Sequence, residues 1–132
     1  MADTIQFDLV SPEKKVASVE ATMVELPGML GDMAAMPSHA PVLTTLRPGV
    51  IKVHTGGDVT EYVVTGGFAE VSGEAATVLA EGAMAPGDVT RDAVEALVAE
   101  AQGGIEGADD MTATALAQRV NDLNTLMGDL GL

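Results

Sequence analysis

Residues 50–64 have the sequence VIKVHTGGDVTEYVV, in which two β-rich runs flank a pair of glycines. Gly56 and Gly57 can adopt the positive φ angles of a tight turn at little conformational cost. Valine, isoleucine, threonine and tyrosine favour extended backbone, and each run has the length of an ordinary strand. The stretch therefore predicts an antiparallel β-hairpin.

Signals of the same kind extend from Ile5 to about Met84. The run IQFDLV alternates apolar Ile5, Phe7 and Leu9 with polar residues, as a strand with one buried face does. Further β-rich runs are ASVEATMVEL, GFAEVS and AATVLAEG, and proline–glycine or serine–glycine pairs punctuate the sequence between runs. Successive short strands without an intervening helix indicate an antiparallel β-sandwich or barrel.

The periodicity changes after the sequence Ala85-Pro86-Gly87. Apolar residues then recur at helical spacing, first after Thr90, a plausible N-cap, and again after about Thr112. Gly103 and Gly104 are expected to end or weaken the first helix, and Gly128 is expected to end the second. Each helix has one apolar stripe, which favours an antiparallel pair. We therefore expect an α+β chain with a β-sandwich domain at 1–86 and an α-helical hairpin at 87–132.

Composition excludes several classes of function. The chain has 132 residues and no cysteine, so disulfides, zinc–thiolate sites and cysteine nucleophiles are excluded. Its net charge of −14 argues against binding to nucleic acid or to an anionic lipid surface. No apolar run approaches the length that spans a bilayer, and the N-terminal sequence MADTIQFDLV has no secretory pattern, so we expect no direct membrane insertion. A basic protein partner would suit this charge.

The two histidines, His39 and His54, are the residues from which a site of chemistry could be built. A metal site would need an acidic partner such as Asp32, but the spacings HxxxH and HxH are missing. Ser38 adjoins His39 without the GxSxG turn of a hydrolase. We therefore expect no catalytic residue, no metal and no cofactor. A stand-alone binding module with a dimerising hairpin, or a small hydrolase that uses His39, remains as an alternative.

The segment before His39 has the composition of a docking loop. It carries Met33, Met36 and Asp32, with Met29 just before it, and two prolines around His39 that stiffen the backbone. Methionine forms adaptable apolar contact surfaces, although it also fills gaps in cores that lack aromatic rings. We expect this segment, from Gly31 through Pro41, to be a loop that makes contacts rather than a loop that performs chemistry.

Two motifs resemble the epsilon-subunit family of the F-type proton-translocating ATP synthase, called delta in mitochondria. The first is GDMAAMPSHAPVLTTLRPG at 31–49, which is similar to the family's pattern of glycine–acid–hydrophobic–glycine followed by PGHAP, threonine, leucine and PG. The second is GGFAEV at 66–71, similar to the family's GGF-x-EV. The resemblance covers about residues 4–86 well, and the tail matches in layout and length. Ala34 and Ser38 replace family glycines.

The resemblance implies a ten-stranded antiparallel β-sandwich followed by a two-helix hairpin. It also implies a non-catalytic subunit of the central stalk that couples the gamma subunit to the membrane c-ring during proton-driven ATP synthesis. By position in the motif, Asp32 and Met33 would contact the c-ring, and His39 and Pro41 would contact gamma. The implied location is the cytoplasmic face of the bacterial inner membrane, as a peripheral protein.

The hairpin departs from relatives that bind ATP or inhibit hydrolysis. Some members carry an Ile-Asp-x-x-Arg-Ala motif, and in the matching stretch 89–94 its Asp and Arg are replaced by Thr90 and Ala93. The resemblance therefore implies no ATP binding here. Residues 87–132 carry nine acids and two bases, whereas inhibitory hairpins meet an acidic motif of the catalytic subunits. Contact with alpha and beta subunits is possible for such a hairpin, but we expect weak inhibition or none.

Overall fold

The computed structural model of the chain describes residues 4–29, 31–37 and 40–132. Two compact units are present: the first ends at Ala85, and the second is Pro86–Leu132. Within the described ranges the first unit contains ten strands. They are β1 (Ile5–Val10), β2 (Lys15–Ala21), β3 (Met23–Gly28), β4 (Gly31–Ala35), β5 (Val42–Leu46), β6 (Gly49–Thr55), β7 (Asp58–Val64), β8 (Gly67–Val71), β9 (Ala75–Ala80) and β10 (Ala83–Met84). The predicted ten-stranded, mostly antiparallel β-domain is confirmed.

The strands follow the order β10-β7-β6-β3-β5-β8-β9-β1-β2, and β4 pairs with β3 outside this path. Neighbours are antiparallel except β1 and β9, which are parallel. Strand β3 joins the two halves of the sandwich, because Met23–Glu25 pair with β6 whereas Gly28 pairs with Leu46 of β5. The β3–β4 hairpin is thereby rooted at the junction of the two halves.

Alternation in β1 places Ile5, Phe7 and Leu9 in the core, where each is at most 1% exposed. The ring of Phe7 lies 6.2 Å from that of Tyr62, measured between centroids. Small aliphatic residues fill most of the remaining space, so the core is assembled with few large rings, as the composition requires. Removing these side chains from water is the main contribution to the stability of the domain.

The hairpin predicted from residues 50–64 is present as β6 and β7. Thr55 and Asp58 are its last paired residues, and Gly56 and Gly57 have φ angles of 61° and 111°. Both turn residues thus occupy the left-handed region, which explains why the sequence places two glycines there.

The second unit contains a short 3₁₀ turn at Pro86–Asp88, helix α1 (Arg91–Ile105) and helix α2 (Asp110–Asp129). The two helices pack together. The side chain of Thr90 accepts a hydrogen bond from the Ala93 amide at 3.1 Å, so the predicted N-cap is confirmed. The predicted helical hairpin is confirmed as well. No helix within the described ranges is long and apolar enough to cross a membrane.

The helix ends differ from the predictions. Helix α1 continues through Gly103 and Gly104 to Ile105, and Gly104 lies against Leu116, whose Cδ1 would be 3.1 Å from a Cβ at position 104. The small residue allows close packing there and does not end the helix. Helix α2 begins at Asp110 after the N-cap Asp109, earlier than expected, and continues past Gly128.

The segment expected to be a loop from Gly31 through Pro41 is partly a strand. Residues Gly31–Ala35 form β4, which pairs along its whole length with Val24–Gly28 of β3. Asp32 and Met33 therefore lie on a β-hairpin and not in a loop. The strand β4 was not predicted because GDMAA lacks β-branched and aromatic residues. Pairing with the neighbouring strand β3 holds the backbone of β4 in the extended conformation.

Candidate partner-binding surfaces

Asp32 lies close to the tip of the β3–β4 hairpin, directly opposite Pro27. Its side chain is 79% exposed, yet its Oδ1 accepts a hydrogen bond from Nη2 of Arg47. The same guanidinium donates through Nη1 to the carbonyl of Gly28. The carboxylate is therefore accessible to a partner, but it is already paired within the chain.

Met33 occupies the other face of strand β4. It pairs with Leu26, whose side chain is buried, and its own side chain is half-buried against the core. Successive residues of a strand point to opposite faces, so Asp32 and Met33 are neighbours in sequence that do not present one common surface. The remaining outward methionines close to the hairpin, Met29 and Met36, are 47% and 49% exposed.

Pro41 is exposed and precedes strand β5. It borders a shallow depression of about 340 Å³ together with Leu43 and Glu70 on the outer face of the sheet. His39, the other residue expected to contact a partner beside Pro41, lies outside the described residues.

An exposed apolar row crosses the outer face of β8, β9 and β1. Phe68 is the direct cross-strand partner of Leu79, which in turn is opposite Val10. Phe68 and Leu79 are 55% and 56% exposed, and they line a groove of about 470 Å³ that also includes Pro12. We call Val10, Phe68 and Leu79 the apolar row. Exposed contiguous apolar surface of this kind is typical of protein interaction sites.

Phe68 is notable because the chain contains only two phenylalanines. One, Phe7, is fully buried, whereas the other exposes more than half of its surface. From the sequence, GGFAEV was identified as a family signature, but the exposure of Phe68 was not predicted. The signal was available, since the alternation GFAEV places Phe68 and Glu70 on the face opposite to Ala69 and Val71.

Acidic groups surround the apolar row. Glu81 lines the groove, and Glu70 faces outward beside Leu43, its partner on β5. Asp8 of β1 forms an ion pair with Lys15 of β2, with 3.8 Å between Oδ1 and Nζ. An apolar centre with a charged rim is the usual anatomy of a protein–protein interface, and this rim favours a partner with basic residues at the periphery.

Strand β5 connects the hairpin tip with the apolar row. The carbonyl of Thr45 accepts a hydrogen bond from the Met29 amide at 2.9 Å, and Thr45 is the cross-strand partner of Phe68. The amide of Arg47 donates to the carbonyl of Pro27 at 3.0 Å. The two surfaces are thus joined by backbone hydrogen bonds within one sheet and not by a flexible segment.

Thr90 and Arg91 of the stretch 89–94 make contacts within the second unit. Thr90 caps helix α1, and Nε of Arg91 donates to Oε1 of Glu95 at 2.7 Å. Helix α1 thus uses two of the three polar side chains of this stretch, those of Thr90 and Arg91, in its own first turns.

His54, the histidine that the structure describes, pairs with Glu25, with 2.7 Å between Nε2 and Oε2. Within residues 4–29, 31–37 and 40–132, no three side chains of His, Asp or Glu converge as a metal site would require. The His54–Glu25 pair joins neighbouring strands β6 and β3, which is a structural arrangement common on sheet surfaces.

Comparison with known proteins identifies relatives of the whole chain. The family model for the β-sandwich domain of ATP synthase delta/epsilon chains matches residues 4–86. An ATP synthase epsilon chain of Rhodobacter capsulatus is 48% identical over 132 residues, with 100% of both chains covered.

Two solved structures share the fold. A chain in the OSCP/F1/c-ring assembly of the Euglena gracilis mitochondrial ATP synthase superimposes with a TM-score of 0.74 at 18% identity, covering 98% of this chain and 83% of that one. A chain in the central stalk/c-ring of the Tetrahymena thermophila mitochondrial ATP synthase gives 0.67 at 16% identity, covering 92% and 94%. The family match over most of the chain, together with the full-length relative, shows that the chain belongs to the delta/epsilon-chain family of ATP synthase.

Proposed function

We propose that the chain is a non-catalytic rotor subunit of the ATP synthase central stalk, where it joins the gamma subunit to the c-ring. Family membership supports placing the chain in the ATP synthase complex. The structural neighbours are chains of assemblies described as F1/c-ring and central stalk/c-ring. In this role it would be a peripheral protein at the cytoplasmic face of the bacterial inner membrane and would support proton-driven ATP synthesis.

The observation that carries the proposal is the rigid connection between two exposed surfaces. The hairpin tip with Asp32 is hydrogen-bonded to β5, and β5 is paired with β8, which presents Phe68. A subunit that transmits torque between two partners needs such a connection, because a flexible link would absorb the rotation. We assign the hairpin tip to the c-ring, with Asp32 as the exposed contact and Met33, whose side chain packs against the core, supporting the strand from its other face.

The apolar row is the surface that we assign to gamma. The face continues through Leu43 to Pro41, the residue whose position in the family motif implies a gamma contact. Leu43 is 71% exposed and lies on the same outer face, so it extends the exposed apolar surface beyond the row. The charged rim would add specificity and faster association.

For the helical hairpin we propose little or no inhibitory activity and no ATP binding. Thr90 and Arg91 are used within helix α1, and the net charge of residues 87–132 is −7. Approach of this hairpin to an acidic surface on the catalytic subunits would be opposed by like charges. An isothermal titration with Mg-ATP that gave a micromolar dissociation constant would contradict the second point.

Stepwise assembly tests the proposed function. The full chain is mixed with recombinant gamma and applied to size-exclusion chromatography, and the detergent-solubilised c-ring is then added. We expect a complex with gamma first and a ternary complex second. A chain that dimerises and ignores gamma would instead be the stand-alone binding module, and the proposal would be wrong.

A further inference from the structure

Arg47 makes contacts that the proposed function does not account for. It follows strand β5 directly, and its side chain is 28% exposed. One guanidinium nitrogen donates to the Gly28 carbonyl of β3, and another donates to the Asp32 carboxylate of β4. The Arg47 amide in addition donates to the Pro27 carbonyl. A single residue therefore bonds to both strands of the hairpin.

Two backbone hydrogen bonds tie β3 and the turn to β5, from Met29 to Thr45 and from Arg47 to Pro27, but they leave strand β4 without a direct bond to β5. Strand β4 pairs only with β3 among the described strands, and β3 pairs with β5 only at Gly28. Strand β4 is thus held to the sheet through β3 and through the side chain of Arg47. The backbone at Gly31, with φ of 140°, also lies in a region that glycine reaches easily.

The guanidinium group of Arg47 is planar and always charged, which suits it to hold both strands of the hairpin. It holds donors in a fixed fork, so one side chain can fix the directions of two acceptors at once. A free Asp32 would sample several rotamers at 79% exposure, whereas the paired carboxylate is held in one direction. The pair also cancels the charge that Asp32 would otherwise present.

We propose that Arg47 is a positioning residue for the c-ring contact: it fixes the β3–β4 hairpin and presents Asp32 as one half of a neutral ion pair. This inference rests on the proposed function. The surface offered to the ring is then a carboxylate–guanidinium pair in a fixed orientation beside exposed Met29.

A double-mutant cycle tests the inference with the full-length chain. The variants are Arg47→Met, Asp32→Asn and the double substitution, and the probe is the detergent-solubilised complex of gamma with the c-ring. We expect each single substitution to weaken ring binding, and the double substitution to cost less than the product of the two single effects by a factor of about three or more. Strictly multiplicative effects would show that Asp32 acts alone, and the inference would be wrong.

Two further measurements separate positioning from general destabilisation. Binding to gamma alone should stay unchanged in Arg47→Met, because the apolar row is untouched, and hydrogen exchange at the Met29 amide should accelerate. Arg47→Lys keeps the charge but loses the fork, so it should restore only part of the ring affinity.

An Arg47→Met variant that binds the ring as tightly as the unmodified chain would overturn the inference and leave the proposed function intact. An unmodified chain that binds gamma but not the ring would overturn the proposed ring contact itself.

Discussion

Phe68 on β8 and Leu79 on β9 are direct cross-strand partners, and both expose more than half of their surface to solvent. The inner faces of the same strands are filled by residues such as Ala69 and Val78, which are fully buried. The pair therefore contributes little to the core of the isolated domain. The exposure of these two apolar side chains is explained if a partner protein covers them.

Substituting serine for Phe68 or Leu79 should weaken binding to the gamma subunit by about tenfold or more, because truncating a central apolar anchor costs about 2 kcal/mol or more and tenfold corresponds to about 1.4 kcal/mol. The thermal midpoint of the isolated chain should change little, since neither side chain is buried. Surface plasmon resonance with immobilised gamma measures the first quantity.

Val59 provides the matched control for these variants. It lies on β7, which is not adjacent to β8 or β9, and it is 50% exposed. Val59→Ser should leave gamma affinity unchanged. Equal losses in Val59→Ser and Phe68→Ser would mean that the effect is unspecific, and the assignment of the apolar row would fail.

Gly67, in the motif GGFAEV, should be intolerant of substitution for a local structural reason. A Cβ at this position would be 2.2 Å from the Leu79 carbonyl oxygen, and φ is 142°. The obstacle is backbone, which cannot move aside without loss of strand pairing. We expect Gly67→Ala to lower the free energy of unfolding by more than about 3 kcal/mol in urea titrations.

The control for this substitution is Gly56, which has a φ of 61° and open space around it. Gly56→Asn should cost at most about 1 kcal/mol, because asparagine tolerates the left-handed region. Similar losses at both positions would indicate that backbone conformation alone, and not the close approach to Leu79, determines the requirement for glycine.

Much of the fold could be predicted from local patterns, because the strands concerned carry their own signals. The hairpin around Gly56 and Gly57 and the alternation in β1 are both present as expected. Strand β4 could not be recognised because its residues have weak strand preference and adopt it through pairing with β3.

The candidate site was less predictable because it depends on contacts between distant residues. Arg47 is separated by 15 positions from Asp32 and by 19 from Gly28, and nothing in the local sequence indicates these pairings. The motif pointed to the acidic residue of the hairpin but not to the cation that holds it. The outward direction of Phe68, by contrast, follows from alternation alone.

Glycines 103 and 104 of helix α1 should respond differently to alanine. Nothing lies within 4 Å of a Cβ at Gly103, so Gly103→Ala should stabilise the helical hairpin by about 0.5–1 kcal/mol through helix propensity. At Gly104 the new methyl would displace Leu116, and the gain should be smaller or reversed. Hydrogen exchange of the α1 amides measures both effects. A larger gain at Gly104 would contradict the packing.

Removal of residues 88–132 should leave ATP hydrolysis by the assembled synthase nearly unchanged. The expectation follows from the excess of acids in the hairpin, which opposes contact with an acidic surface. Steady-state ATPase assays of reconstituted enzyme, with equal amounts of the full and shortened chains incorporated, provide the measurement. A sharp rise on truncation would show that the hairpin is inhibitory despite its charge.

Asp109 should make the stability of helix α2 depend on pH. Its Oδ1 accepts a hydrogen bond from the Thr112 amide at 2.7 Å, and the Thr112 side chain and amide together hold the pKa of the carboxyl below its usual value. Because the carboxylate form is favoured in the folded state, its contribution is fully present above the usual carboxyl pKa of about 4 and is lost as the pH falls through the lower folded value.

The matched substitution is Asp109→Asn, which retains an N-cap acceptor but cannot titrate. Other carboxyl groups titrate in both proteins, so the difference in α2 amide protection between them isolates Asp109. We expect the unmodified chain to be more protected at about pH 6, where the anion also interacts favourably with the helix dipole, and this advantage to shrink or vanish at about pH 3. An advantage that stayed constant over this range would mean that the Asp109 carboxylate does not act through its charge.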